Sequence, residues 1–161
     1  MTPVCDLCDA FPDRIQVLEP GLVSYGGVAA FFGQAETIRT HEDNSRVRDA
    51  VNEPGSGRVL VVDGGGSLKR SLLGGDLAGK AADNGWAGVI VNGAVRDITE
   101  LEAKTLGILA LGLIPMKTEK RGLGLRGAPI SVAGAVIRRG DWVYADRDGV
   151  IVSAEPLHLQ T

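Results

Sequence analysis

The run Arg58-Val59-Leu60-Val61-Val62-Asp63, closed by Gly64-Gly65-Gly66, constrains the fold more than any other segment. It is compact and rich in β-branched residues, so it reads as a buried strand entering a loop. Ala87-Gly88-Val89-Ile90-Val91-Asn92 repeats the pattern, and Ile108 to Leu111 supplies a third apolar strand. Helical composition lies between them, from Asp76 to Asn84, stopping before Gly85, and from Thr99 to Lys104. Strand, helix, strand, helix, strand between Arg58 and Leu113 implies parallel pairing through crossover connections.

The flanks carry different signals. Thr2-Pro3 suits a helix start, with Thr2 as N-cap and Pro3 in the first turn, running to about Phe11 and ending before Pro12. Val28 to Thr40, opened by Gly26-Gly27, reads as extended chain, and Ser45 to Val51 as a short helix. Beyond the centre, Ile130 to Ile137, Asp141 to Ala145 and Gly149 to Ser153 are short strands separated by glycine turns, which points to antiparallel pairing. No linker, repeat or low-complexity tract intervenes. The expectation is one α/β domain over residues 1–161, with a mixed sheet, a parallel βαβ centre and antiparallel C-terminal strands.

Composition narrows the function. Of 161 residues, 44% are hydrophobic but only 4% aromatic, so Val, Leu, Ile and Ala must build the core. The 23 glycines are about twice the usual share and favour tight turns and ligand-cradling loops. A net charge of −3 with both signs interspersed argues against direct nucleic-acid binding, which needs clustered Lys and Arg. No segment approaches the roughly 18 apolar residues of a membrane span. The N-terminus lacks the basic-then-apolar pattern of a secretory signal. Cys5 and Cys8 spell C-x-x-C, yet no second pair completes a zinc site, and His41 and His158 lack ligand spacing. Two reduced thiols and a cytoplasmic location are expected.

Several motifs fail on inspection. Gly74-Gly75-Asp76-Leu77-Ala78-Gly79-Lys80 fits the start of a phosphate-binding loop, but Ala81 stands where a magnesium-binding hydroxyl is required. Arg70-Ser71-Leu72-Leu73 does not read as the buried strand such a loop follows. Gly64-Gly65-Gly66 begins like a dinucleotide fingerprint, but Lys69 occupies its last glycine position. No G-x-S-x-G elbow is present, which disfavours nucleophilic hydrolysis.

Gly93-Ala94-Val95-Arg96-Asp97-Ile98-Thr99-Glu100 is more informative. Arg96 and Asp97 follow the C-terminal end of a buried strand, where ligands bind in open α/β sheets. Arg96 can take a carboxylate through two parallel hydrogen bonds. Asp97 can give one hard oxygen to a magnesium-type ion that keeps several waters. The same residues also fit an ion pair on a solvated loop, with Asp97 capping the next helix.

Gly26-Gly27, Val59 to Ser67, Trp86, Gly93 to Asp97 and Tyr144-Ala145-Asp146-Arg147-Asp148-Gly149-Val150, in this order and spacing, resemble the ribonuclease-regulator and 4-hydroxy-4-methyl-2-oxoglutarate aldolase family. The similarity runs from about Cys8 to Leu157. It implies a swivelling β/β/α domain that assembles as a homotrimer. It also implies a divalent-metal-dependent lyase, using Mg2+ or Mn2+, that cleaves this small 2-keto acid into two pyruvates and decarboxylates oxaloacetate.

By the resemblance, Arg96 binds substrate and Asp97 the metal, with Asp76 and Glu100 in its outer shell. Gly74, Gly75, Asp76 and Leu77 offer backbone amides to a carboxylate, as a helix N-terminus can. The enzymes carry an acid, twenty residues, Arg-Asp, two residues and another acid. Here the first acid is replaced by Gly75, and Asp76 comes one residue late. Losing such outer support typically costs roughly 10–100-fold, unless a neighbouring subunit supplies the acid. The alternative function is that of the family's regulators, inhibition of ribonuclease E by direct protein contact. A quinone-biosynthesis methyltransferase, a label that relatives have carried, is disfavoured because no glycine fingerprint with a following acidic ribose ligand is present.

Overall fold

The computed structural model describes residues 1–157, so His158 and the last three positions lie outside the described residues. The first helix, α1, spans Val4–Ala10. It starts one residue later than expected: Pro3 occupies the cap position and Thr2 lies outside. Asp146 supplies the cap from afar, its Oδ2 accepting the Val4 N–H at 2.9 Å. Short strands β1 (Gln16–Val17) and β2 (Val23–Ser24) precede the long β3 (Phe31–Arg39). Then come α2 (Ser45–Val51), β4 (Val59–Asp63), β5 (Ser71–Leu73) and α3 (Gly75–Asp83). Strand β6 (Gly88–Val95), α4 (Ile98–Glu102) and β7 (Gly107–Leu113) complete the crossover region. Five strands close the described chain: β8 (Leu125–Arg126), β9 (Ile130–Val132), β10 (Ala135–Ile137), β11 (Trp142–Asp146) and β12 (Gly149–Ser153).

The main sheet runs β1-β12-β11-β3-β4-β6-β7-β2. Its centre, β3-β4-β6-β7, is parallel, as the crossover pattern requires. Both flanks are antiparallel, through β11 and β12 on one side and β2 on the other. The expected strand over Ile130 to Ile137 is instead a hairpin of its own, β9 paired with β10. Ala133 and Gly134 make its turn, both at positive φ. Strand β6 outruns its expected end at Asn92. A register shift between Val91 and Ala94 bends it onward to Val95. Strand β5 departs from the sequence expectation, since all three of its residues are buried. Ser71 tolerates this because its hydroxyl donates to Leu73 O at 3.0 Å and its N–H to Met116 O at 2.8 Å.

Because side chains alternate across a strand, the central strands feed two cores. Leu60, Val62, Val89 and Val91 pack with α2, α3 and α4 on one face. Val59, Val61 and Ile90 meet the β9–β10 hairpin and β11–β12 on the other. The scarcity of aromatics is offset by one well-placed ring. Phe31 lies across Gly88 and Gly107, paired neighbours on β6 and β7, where a Cβ on either would overlap it. A third, smaller cluster seats Val4 and Leu7 of α1 against Tyr144 and Ile151.

One buried carboxylate ties the two layers together. Glu36 on β3 is 2% exposed. It accepts from Arg139 at 2.8 and 3.1 Å, from Arg126 at 3.1 Å and from the Thr37 N–H at 3.0 Å. Burial pushes this carboxyl up, but the Arg139, Thr37 and Arg126 donors outweigh burial and hold it below the ordinary range. The unfolded carboxyl titrates near ~4.3. Stabilisation from Glu36 is therefore complete above that pH and drains away as pH falls through the lower folded value. Replacing Glu36→Gln should cost roughly 3 kcal/mol in urea unfolding at pH 7. The difference from wild type should shrink below about pH 4. A constant difference from pH 7 to pH 3 would contradict this role.

Candidate functional site

The C-terminal ends of β5 and β6 and the first turns of α3 and α4 meet at one cleft of about 410 Å³. Arg96 follows the last residue of β6, and its N–H donates to Leu73 O at 3.0 Å, so β5 fixes its backbone. Its guanidinium reaches Pro115 O at 3.3 Å while lining the cleft. Asp97 is left-handed, with φ 65° and ψ 49°. Asp is among the few non-glycine residues that tolerate this region.

That backbone turn aims the Asp97 carboxylate away from its own helix. It makes no side-chain cap on α4. Instead Oδ2 accepts the Gly75 N–H at 2.8 Å, at the start of α3. The capping role thus goes to the neighbouring helix, while Asp97, still exposed and 4.0 Å from Arg96 as the ion-pair alternative required, lines the cleft. Asp76 and Leu77 stand in the first turn of α3, where backbone N–H groups have no intrahelical acceptor. They lie on the favourable end of the α3 dipole.

Glycines at 74 and 75 leave room for the acids packed against them. A Cβ on Gly74 would sit 2.8 Å from Asp97 Oδ2 and 3.3 Å from Arg96 Nε. A Cβ on Gly75 would overlap Glu100 Oε2. The Glu100 carboxylate thus occupies the space beside Gly75, the position at which the resemblance implies an acid. Asp97 meets both Gly74 and Gly75, Glu100 meets Gly75, and Arg96 stands beside Gly74. Asp76 lines the cleft as well. All the expected site residues are brought together.

The phosphate-loop reading loses further ground here. The buried strand β5 does precede the glycines, contrary to expectation, but the Gly75 N–H is already bound by Asp97. In the Gly64–Gly66 loop, the Gly65 N–H goes to Asp63 Oδ1 and that of Gly66 to Asn92 O, so neither is free for a nucleotide.

The opposite side of the cleft is one that sequence reasoning missed. Asn44 and Arg48 come from α2 and its cap, while Lys117, Thr118 and Lys120 come from the segment between β7 and β8. Lys80 joins them from α3. The only sequence signal is the cluster Lys117-Thr118-Glu119-Lys120-Arg121, which no spacing connects to α2. Thr118 Oγ1 donates to Asn44 Oδ1 at 2.6 Å, both groups being buried. The cleft thus joins three acids to several cations.

Among the described residues no three His, Cys, Asp or Glu side chains form a closed metal cage. The donor set suits a hard cation that keeps waters and takes one or two carboxylates. His41 is exposed, 3.7 Å from Glu42. Cys5 and Cys8 are unpaired. Asp148 pushes the Cys5 thiol up, and burial does the same for Cys8, so both favour the protonated form. No helix among the described residues is long and apolar enough to cross a membrane.

Known proteins share this architecture. A solved structure named as the RNA-processing inhibitor RraA from Thermus thermophilis is 44% identical, with a TM-score of 0.94 over 97% of this chain and 94% of that one. A Geobacillus kaustophilus structure, named S-adenosylmethionine: 2-dimethylmenaquinone methyltransferase, is 43% identical, with a TM-score of 0.93 over 97% of each chain. A relative from Ectopseudomonas mendocina with the provisional name 4-hydroxy-4-methyl-2-oxoglutarate aldolase is 52% identical over 96% of this chain and 95% of its own. A Stutzerimonas stutzeri protein of the same provisional name is 53% identical over the same shares. The RraA-like family described as Aldolase/RraA matches residues 4–152. The chain belongs to this Aldolase/RraA family.

Proposed function

We propose that the cleft is the active site of a divalent-metal-dependent lyase cleaving 4-hydroxy-4-methyl-2-oxoglutarate into two pyruvates, with oxaloacetate decarboxylation as a side activity. The observation that carries this reading is the convergence of Arg96, Asp97 and Glu100 on the N-terminus of α3. The names of relatives about half identical to the chain support it.

The chemistry follows from the charges. The N–H groups of Asp76 and Leu77 receive the carboxylate next to the keto group. Arg96 steadies negative charge on the keto oxygen as it develops. Asp97, backed by Glu100 and Asp76, would hold Mg2+ or Mn2+, which would supply Lewis-acid stabilisation when bound. Arg48, Lys117 and Lys120 balance the second carboxylate of the substrate. As the 4-hydroxyl gives up its proton to water in the cleft, which later returns one to C3, the C3–C4 bond breaks. Its electron pair becomes the enolate of one pyruvate while the other leaves as the ketone, and protonation at C3 completes the products. This route needs no imine with Lys80, Lys117 or Lys120.

Pyruvate release from both substrates should require Mg2+ or Mn2+ and stop with chelator. Arg96→Ala should lower kcat/KM at least about 100-fold, and Asp97→Ala should also abolish turnover, with the far-UV circular dichroism of both variants unchanged. Borohydride with pyruvate should leave the enzyme active. Metal-free turnover, or borohydride inactivation, would refute the mechanism.

Glu100 has its own test. Gly75→Asp supplies the acid that the resemblance implies at this position, displaces the exposed end of Glu100 and should raise turnover roughly 10–100-fold. Glu100→Ala alone should lower it. A Gly75→Asp variant slower than wild type would show that Glu100 already fills this role.

A second reading, inhibition of ribonuclease E by direct contact, is favoured by the 44% identity to a protein named as an RNA-processing inhibitor. It uses surface rather than cleft, so Arg96→Ala should leave inhibition intact. Failure of the chain to retain ribonuclease E in a pull-down would remove this reading.

A further inference from the structure

The cationic side of the cleft has an attachment that the proposed chemistry does not use. Asp43, just before α2, is 1% exposed. Its Oδ1 accepts the Ser45 N–H at 2.8 Å and the Ser45 hydroxyl at 2.6 Å. Its Oδ2 accepts the Arg121 N–H at 2.7 Å and, more weakly, the Leu123 N–H at 3.4 Å. Ser45 Oγ in turn accepts the Gly122 N–H at 3.0 Å. One buried carboxylate and one hydroxyl therefore bind three consecutive backbone positions on alternating sides of Gly122.

The segment is otherwise held by scattered polar contacts, among them Arg46, whose guanidinium donates to Gly122 O at 3.1 Å. Between β7, which ends at Leu113, and β8, which begins at Leu125, there is no regular strand or helix. At its near end, Met116 O accepts the Ser71 N–H and Lys117 O accepts Arg70 at 3.0 Å. In the middle, Thr118 meets Asn44. Lys120 lies between that contact and the Asp43 anchor. Met116, Leu123 and Leu125 are about half exposed and give no buried apolar anchor. Hydrogen bonds to an ionised, buried acceptor are the strong kind, and here they replace hydrophobic packing.

We propose that Asp43 is a positioning residue. Through Ser45 it clasps residues 121–123 to the start of α2 and so holds Lys117 and Lys120 in place around the cleft. Asp43 does not line the cleft itself, whereas Asn44, Lys117, Thr118 and Lys120 do. The clasp governs how tightly a 2-keto dicarboxylate binds, with the bond-breaking step left to Arg96 and Asp97. Its catalytic consequence rests on the lyase reading; the anchoring does not.

The test uses Asp43→Asn, which keeps the shape but puts an NH2 against N–H donors, and Ser45→Ala as a milder second variant. Hydrogen exchange should rise about tenfold or more in residues 116–124 of Asp43→Asn, with the helices and central strands unchanged. KM for oxaloacetate should rise about tenfold and kcat change by less than about threefold, with Ser45→Ala shifting KM in the same direction by a smaller factor. Unchanged exchange in this segment would overturn the clasp. Faster exchange throughout the chain, with kcat and KM both impaired, would make Asp43 a general stability residue and overturn the proposal. A wild type without lyase activity would refute the proposed function, while the exchange data would still decide whether Asp43 anchors the segment.

Discussion

The hydrogen bond from the Gly75 N–H to Asp97 Oδ2 is the contact on which the cleft depends. It joins the end of β6 to the start of α3, and it forms only because Asp97 adopts a left-handed backbone. That conformation costs about 1 kcal/mol for a non-glycine residue. A hydrogen bond to a charged acceptor returns about 1.5 kcal/mol even at the lower end of its range. The two nearly cancel, so the arrangement contributes little to stability. Its consequence is positional. The Asp97 carboxylate is turned to the neighbouring helix, and Glu100 occupies the space beside Gly75.

The centre of the fold was legible because its signal is local. Val59 to Asp63 and the run beginning at Gly88 are apolar on both faces, which few other structures allow. The short elements were not legible. β1, β2 and β8 are two residues each, too short for alternation to show, and β5 hides behind a buried serine that satisfies itself. The start of α1 differs from its local signal because Asp146, far along the chain, accepts the hydrogen bond that a local cap would have taken.

The site divides in the same way. Arg96 and Asp97 stand out because they follow a strand end, while Gly74 to Leu77 and Glu100 came from the family resemblance. Read by spacing, Gly75 looked like a missing acid. Only the packed structure shows a carboxylate from Glu100 in that space, because a count along the chain cannot see two helix starts meeting. The cationic side was hidden for a related reason: Arg48 and Lys117 belong to segments that only tertiary packing brings together.

Enolate stabilisation is the central claim, and deuterium exchange at the methyl group of pyruvate in heavy water measures it without requiring carbon–carbon cleavage. The account predicts exchange that needs both the protein and Mg2+ or Mn2+ and disappears in Arg96→Ala. Exchange no faster than with the free metal ion, or undiminished in Arg96→Ala, would contradict it.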